Sequence, residues 1–167
     1  MRWVASCSSE LDLYPHSAVS PDGISERDIP ALRLGMYNRV QNGPGREAFI
    51  TFDILGGMLM LASGEPKSLI NITLSPLNST VSGSWEGYFE ALYQVNNVLE
   101  ITAGFPESAV AKKARGEAHY FRAYIYSCLV TRWGAVPVIA KNTTALVSRD
   151  PVEDVWAFIE SDLTAAI

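Results

Sequence analysis

The amino-acid sequence predicts a mainly α-helical chain, built from antiparallel helix pairs of the tetratricopeptide-like kind and joined by long loops. Three segments repeat apolar residues at intervals of three and four, which is the spacing of one face of an α-helix. The first two of these segments are joined by a short turn containing Gly104 and Pro106, which favours an antiparallel pair. With 48% hydrophobic and 19% charged residues, the 167-residue chain can bury a core and is not disordered.

Residues 8–24 are predicted to form an extended and irregular lead-in, because two prolines and a glycine interrupt any regular pattern. Ser25 can cap a first helix that runs to about Gln41. The sequence Asn-Gly-Pro-Gly at 42–45 is expected to end this helix. Its apolar face is predicted to contain Ile29, Leu32, Met36 and Val40.

The next stretch is less clearly patterned. Residues 46–62 are mostly apolar and predict a second helix that bends near Gly56 and Gly57, although Phe49 and its apolar neighbours also suit a strand. Residues 63–84 are rich in Ser, Asn, Gly and Pro and predict a long loop. Long ordered loops often contain binding residues, so this loop is a candidate site, and the alternative is that it is a plain connector.

Two long helices are predicted after the loop. The segment WEGYFEALYQVNNVLEITAG, residues 85–104, predicts a helix that ends at Gly104. The next helix is predicted from about Glu107 to Trp133, and small residues in its first half allow a neighbouring helix to approach closely. The first of the two is predicted to bury Trp85, Phe89, Leu92, Asn96, Leu99 and Ala103, and the second Val110, Ala114, Ala118, Phe121, Ile125 and Leu129.

A last helix is predicted from Asp150, with that residue as N-cap, Pro151 in the first turn and Glu153 as the acid of a capping box. Because stacked helix pairs bury their faces on their neighbours, a chain that stops inside a helix is expected to be incomplete. The apolar face is predicted to contain Val152, Val155, Ile159 and Ala166, and the residues expected to face a neighbour outside the chain are Val155, Trp156 and Ile159.

Two charged residues lie on apolar helix faces. Arg122 shares a row with Ala118 and Ile125, and Asp162 shares a row with Ile159. Burying an unpaired charge costs roughly several kcal/mol. Each of these two side chains must therefore find a partner or reach water. We expect Arg122 and Asp162 to form a structural polar pair across the helices, with Asn96 as the other candidate partner. The alternative is that each side chain extends separately to solvent.

Composition and motifs exclude several function classes. The formal net charge of -5 argues against nucleic-acid binding, and Lys112, Lys113 and Arg115 are interpreted as a solvated helix face. There is no Gly-rich phosphate loop, nucleophile elbow or metal-binding spacing, so we expect neither catalysis nor a cofactor. The two cysteines do not form a disulfide framework, and Cys128 is expected to be a small buried residue.

Four blocks of the sequence carry a family resemblance. ARGEAHYFRAYIYSCLVTRWGAVPVI at 114–139, followed by SRDPVEDVWAFIESDLTAAI at 148–167, resembles the signature of the SusD/RagB family: a helix that ends at an aromatic-Gly-x-x-Pro turn, and a further helix with an Asp-Leu pair. SWEGYFEALYQVNNVLE at 84–100 is similar to the W-x-x-x-Y/F helix of that family, and ELDLYP at 10–15 to its mature start. The order and spacing of the blocks agree over nearly the whole chain.

This resemblance implies a lipid-anchored, surface-exposed protein of the bacterial outer membrane that is not an enzyme. Family members bind oligosaccharides or other nutrients as a lid over a partner, the SusC-like TonB-dependent transporter. They run to several hundred residues, so residues 25–167 are expected to form an incomplete, amino-terminal part of the SusD-like helical domain. We do not expect this part alone to be retarded by polysaccharides in affinity electrophoresis.

The start of the chain resembles a lipoprotein signal. VASC at 4–7 fits a lipoprotein cleavage box, which makes Cys7 the candidate lipidation site, and residues 1–24 are interpreted as a truncated signal and lead-in. A secretory signal needs a longer apolar stretch than the three residues before the box, so we expect translation to begin upstream. The alternative is an ordinary exposed cysteine near the amino terminus.

Glycan contacts are expected from an aromatic ring that stacks on the sugar and from polar side chains that bind its hydroxyls. The 63–84 loop supplies polar groups but has no aromatic residue until its edge. The alternative function is a tetratricopeptide-like adaptor that grips a protein partner, which would be expected to show repeats of equal length. The glycan-contact candidates are Lys67, Asn71, Asn78 and Trp85.

Overall fold

The structure, a computed structural model, describes residues 23–46, 56, 75 and 79–167. Four α-helices form within these residues, so the prediction of a mainly α-helical chain is confirmed. The predicted helix or strand at 46–62, like most of the predicted loop at 63–78, lies outside the described residues. The helices are α1 (Ile29–Val40), α2 (Ser79–Ala103), α3 (Ala109–Trp133) and α4 (Val152–Ala165).

Helix α1 begins close to its predicted start. Ser25 is the N-cap of a short 3-10 turn, Glu26–Asp28, and its backbone N–H donates a 2.9 Å hydrogen bond to the Asp28 carboxylate. The predicted apolar face is buried at Ile29, Met36 and Val40, and half-buried at Leu32.

Helix α1 ends at Val40, one residue before its predicted end, but the sequence at 42–45 does not stop the helical backbone, which continues as a π-helical turn over Gln41–Gly45. The backbone N–H of Arg46 bonds to the carbonyl of Gln41, five residues back. Pro44 has no N–H to donate, and its ring would clash with the carbonyl four residues back in a regular α-turn, so the turn widens. Gly43 lies so close to α2 that a Cβ atom there would be 3.3 Å from the Gly87 carbonyl oxygen.

Helix α2 starts six residues before its predicted start, so the end of the predicted loop, Ser79–Ser84, is helical. The weak helix formers of this turn are stabilised by packing, since Ser84 is buried. The buried face is also wider than predicted, because α1 and α3 pack on two sides of α2. Of the predicted face, Leu92 and Asn96 are buried, Trp85, Phe89 and Leu99 are half-buried, and Ala103 is exposed.

Helix α3 begins at Ala109 rather than Glu107, because the Ser108 side chain caps it by accepting the Ala111 N–H at 3.1 Å. It ends at Trp133 as predicted, and Gly134 follows with φ 69°. The predicted burial of Ala114, Ala118, Ile125 and Leu129 is confirmed, Phe121 is half-buried, and Val110 is exposed against the prediction.

The small residues of α3 allow the close approach that the sequence predicts. A Cβ atom on Gly116 would lie 3.1 Å from the carbonyl oxygen of Ala166, just beyond the end of α4. Cys128 is buried on the same helix, as expected. Helix α3 therefore packs against α2 on one side and α4 on the other.

The connector between α3 and α4 changes the role predicted for Asp150. Its backbone N–H bonds to the Val136 carbonyl at 3.0 Å, and its carboxylate accepts the Val138 N–H at 2.7 Å. The carboxylate is thus used to fold the connector, and Pro151 is the N-cap of α4 instead. Val155 and Ile159 are buried within this chain, so only Trp156 of the residues expected to face an outside neighbour is exposed.

Candidate functional site

A buried polar pair joins α3 to α4. The Arg122 guanidinium donates two hydrogen bonds to the Asp162 carboxylate, Nε to Oδ2 and Nη2 to Oδ1, both at 2.7 Å. Both residues are buried, with exposed fractions of 7% and 3%. The face of the guanidinium lies 4.9 Å from the ring centroid of Phe158. This two-bond geometry fixes the orientation of both groups in a way that a single contact would not.

The pair belongs to a larger network that also holds the connector. Arg122 Nη1 donates to Asn96 Oδ1 at 3.0 Å and to the Ala140 carbonyl at 2.9 Å, and Asn96 Nδ2 donates to the Ile139 carbonyl at 2.8 Å. Asn96, the other candidate partner from the sequence, is therefore bonded to Arg122 as well. The network links α2, α3, the connector and α4 at one buried point.

Asp162 is the charged centre of this network. Its Oδ1 atom lies 2.8 Å from His119 Nδ1. Burial raises the pKa of Asp162, but the hydrogen bonds from Arg122 and His119 lower it by more, so the pKa lies below its ordinary value of 3.8. Both oxygens of the Asp162 carboxylate take part in these contacts. We therefore interpret the whole network as structural.

Trp85 lies in an aromatic cluster near the start of α2. Its ring centroid is 4.7 Å from that of Phe89 and 5.5 Å from that of Trp133, and the Arg149 guanidinium lies 5.8 Å from it. The ring is half-buried by this packing. Of the sequence-predicted glycan contacts, Trp85 alone falls within the described residues. Cys7, Lys67, Asn71 and Asn78 lie outside them.

A polar groove between α1 and α2 was missed by the sequence reasoning. It has a volume of about 400 Å³ and is lined by both helices. Tyr93 is 57% exposed on its α2 side. The available signal was an aromatic residue off the apolar row of its helix, between charged and amide residues. The lining residues are Gly35, Asn38, Arg39, Glu90, Tyr93 and Gln94.

A second, mainly apolar groove lies where the end of α4 crosses α3. Tyr120 is 54% exposed there, whereas Tyr126 on the same helix is fully buried. The ring of Phe121 contacts Tyr37 edge-to-face at 4.7 Å between centroids. The remaining lining residues are Gly116, Glu117, Leu163, Ala166 and Ile167.

The described residues contain neither a cluster of metal ligands nor a membrane-spanning helix. They do not bring together three or more His, Cys, Asp or Glu side chains that could hold a metal ion. None of the helices in this part of the chain is long and apolar enough to cross a bilayer.

Comparison with known proteins gives a consistent set of relatives. Residues 11–167 match a SusD-like family described as starch-binding and associating with the outer membrane. A SusD-like protein of Bacteroides ovatus is 25% identical over 153 residues, and one of Formosa agariphila is 24% identical over 172 residues. These alignments cover 86% and 96% of this chain but 28% and 34% of the relatives, so the chain spans about a third of their length.

Solved structures share the fold. A protein crystallised with a xylogluco-oligosaccharide superposes with a TM-score of 0.70 at 23% identity, over 83% of this chain and 29% of that one. NanU of B. fragilis superposes with a TM-score of 0.67 at 22% identity, over 92% of this chain and 33% of that one. A SusD superfamily protein of Parabacteroides distasonis also scores 0.67, at 20% identity, over 86% and 34%.

Proposed function

Because the chain belongs to the SusD-like family, we propose that it is the helical part of a glycan-binding protein of the bacterial outer membrane. The observation that carries this proposal is the family match over residues 11–167, which includes all four described helices. The protein binds its ligand and does not convert it. The family description, which is starch-binding, supports this part of the proposal.

The ligand class is an oligosaccharide. The family is described as starch-binding, and one protein of the same fold was crystallised with a xylogluco-oligosaccharide. A sugar ring stacks its C–H face on an aromatic ring while amides and charged groups bind its hydroxyls, which requires exposed aromatics beside polar side chains. Exposed or half-exposed aromatic rings at Trp85 and Tyr93 meet the first requirement, and Arg149 and Gln94 beside them meet the second.

The partner in this proposal is a SusC-like TonB-dependent transporter, which the bound glycan enters. Support comes from the family's association with the outer membrane, where a glycan too large for passive diffusion needs an active route. An epitope-tagged copy expressed from its own locus should co-purify with such a transporter from detergent-solubilised outer membranes. A preparation without any transporter would remove this partnership.

Cys7 is proposed as the lipid anchor, since it follows the small residues of a lipoprotein cleavage box. A single acyl chain holds a protein only marginally at a membrane, whereas the several chains of a bacterial lipoprotein hold it firmly. Expression behind a complete signal peptide with labelled palmitate should label the native chain and leave Cys7→Ala unlabelled. Label retained by Cys7→Ala would exclude this anchor.

The experiment that tests the function itself is glycan binding by intact cells. Fluorescently labelled maltohexaose and xylogluco-oligosaccharide are added to the source bacterium and to a strain lacking the gene. The proposal expects at least one label on the native cells and a large loss in the deletion strain, with recovery on complementation. Equal labelling of both strains would contradict it and would favour a protein-binding adaptor instead.

A further inference from the structure

We propose that the groove between α1 and α2 is a subsite for one neutral pyranose unit of the glycan, with Tyr93 as the stacking ring. This inference rests on the proposed function. It goes beyond the residues that the sequence identifies, because Trp85, the glycan-contact candidate within the described residues, does not line this groove. We call it the Tyr93 groove, and it is lined by Gly35, Asn38, Arg39, Glu90, Tyr93 and Gln94.

The shape of the Tyr93 groove fits a single ring. Its volume of about 400 Å³ lies within the range of roughly 300–1,000 Å³ of small-molecule sites. Gly35 supplies no side chain on the α1 wall, and a Cβ atom placed there would meet nothing within 4 Å. The groove is therefore open at Gly35 on the α1 wall.

The chemistry of the lining selects a hydroxyl-rich, uncharged ligand. Arg39 and Glu90 form an ion pair across the groove, so their charges cancel and an anion or a cation gains little. Within the described part of the chain, the Gln94 amide and the Tyr93 hydroxyl have no hydrogen-bond partner, so both are available to sugar hydroxyls. Asn38 adds a second amide on the α1 side.

The backbone beneath Tyr93 is held in place. Asn142 of the connector donates a 3.1 Å hydrogen bond from Nδ2 to the Tyr93 carbonyl oxygen. Val95 and Asn96, which follow Tyr93 on α2, are buried. A rigid helix therefore presents the ring, and this reduces the conformational entropy that binding would cost.

Binding at one ring is weak, so the test uses saturation-transfer NMR with the 167-residue chain and millimolar maltohexaose or xylogluco-oligosaccharide. We expect saturation transfer to at least one of the two sugars. Tyr93→Ala should lower the affinity about fivefold, the loss expected for one aromatic contact, and Tyr93→Phe should keep most of it. Gly35→Leu should also weaken the signal, because the added side chain occupies part of the groove.

Two controls separate binding from folding. Tyr120→Ala removes a tyrosine of nearly equal exposure, 54% against 57%, from the other groove and should leave the signal unchanged. Gly35→Leu replaces an exposed helical glycine with a better helix former, so it should not unfold the chain, which circular dichroism checks.

Each outcome has a defined meaning. A weaker signal in Tyr93→Ala and Gly35→Leu, with the signal kept in Tyr93→Phe and Tyr120→Ala, supports the subsite. Equal signals in the native chain, Tyr93→Ala and Gly35→Leu overturn the subsite and leave the proposed function intact. No transfer to either sugar also overturns the subsite, while the proposed function is decided separately by the labelled-glycan assay on intact cells.

Discussion

Arg122 on α3 and Asp162 on α4 are joined by two parallel hydrogen bonds of 2.7 Å, and both side chains are almost completely buried. A buried ion pair recovers the free energy lost on leaving water only when its geometry is good and its remaining polar atoms are bonded. Here Asn96, His119 and the Ala140 carbonyl provide those additional bonds. The pair therefore fixes how α4 lies on α3.

Replacing one residue of this pair should lower the free energy of unfolding more than replacing both residues. Arg122→Met leaves the Asp162 carboxylate buried with His119 alone, and we expect a loss of about 3–5 kcal/mol in the free energy of unfolding. Adding Asp162→Leu should recover part of that loss, with a coupling free energy of about 2–3 kcal/mol in a double-mutant cycle measured by urea unfolding.

A second cycle on an exposed ion pair serves as the control for this measurement. Arg39 and Glu90 pair across the Tyr93 groove with side chains that are 42% and 59% exposed. Their coupling in Arg39→Met and Glu90→Leu should not exceed about 1 kcal/mol. Additive losses at Arg122 and Asp162 would show that the two residues stabilise the fold independently.

The Arg122–Asp162 pair also predicts how the free energy of unfolding depends on pH. The folded-state pKa of Asp162 lies below its ordinary value of 3.8, so its contribution is fully present above that pH. It is lost as the pH falls through the lower folded pKa and the carboxylate takes up a proton. The difference in unfolding free energy between the native chain and Asp162→Asn should therefore shrink as the pH falls below about 4. A difference that stays constant between pH 6 and pH 2 would contradict this.

The close approach of α3 and α4 at Gly116 predicts a second stability effect. A Cβ atom at this position would lie 3.1 Å from the Ala166 carbonyl oxygen, so Gly116→Leu must displace the end of α4. We expect a loss of about 1–3 kcal/mol by thermal or urea unfolding. Gly35→Leu, where the added side chain meets open space, is the matched control and should be neutral or slightly stabilising. Equal stability of the two variants would mean that α4 yields freely at this contact.

The sequence indicated the fold because its long helices have strong local signals. The Gly104 turn, the Gly134 stop and the apolar rows of α2 and α3 all depend on residues close in the chain, and the family resemblance covered the same blocks. The predictions that failed concern segments whose structure depends on tertiary packing. Ser79–Ser84 is helical because the core covers Ser84, and the Asp150 carboxylate folds the connector through a contact with Val138 that no local pattern shows.

The candidate site was less predictable than the fold. Helical spacing places Arg122 and Asp162 on apolar rows, but it cannot give their mutual distance, which depends on how α3 and α4 cross. The Tyr93 groove is formed by two helices whose lining residues are more than 50 positions apart in the sequence. The helical periodicity of the sequence shows that Tyr93 is not on the apolar face of α2. It does not show which face of α1 packs beside Tyr93.

The exposed side of α4 predicts self-association of the 167-residue chain. Val152, Trp156, Leu163 and Ile167 follow one another at intervals of four, seven and four, and all are at least 36% exposed. An apolar stripe of this kind favours contact between copies. Sedimentation velocity should show association that rises with concentration and is reduced by Trp156→Gln with Leu163→Gln. Leu34→Gln, which removes a leucine on α1 that is 71% exposed, should have no such effect. A native chain that stays monomeric would refute the prediction.

Growth on polysaccharides tests the central claim most directly. The source bacterium, a strain lacking the gene and the complemented strain are grown on a panel of single polysaccharides, with the corresponding monosaccharides as controls. The proposed role in glycan capture predicts that the deletion strain grows poorly on at least one polysaccharide, grows normally on its monosaccharide, and recovers on complementation. Unchanged growth of the deletion strain on every polysaccharide of the panel would contradict a role in nutrient uptake.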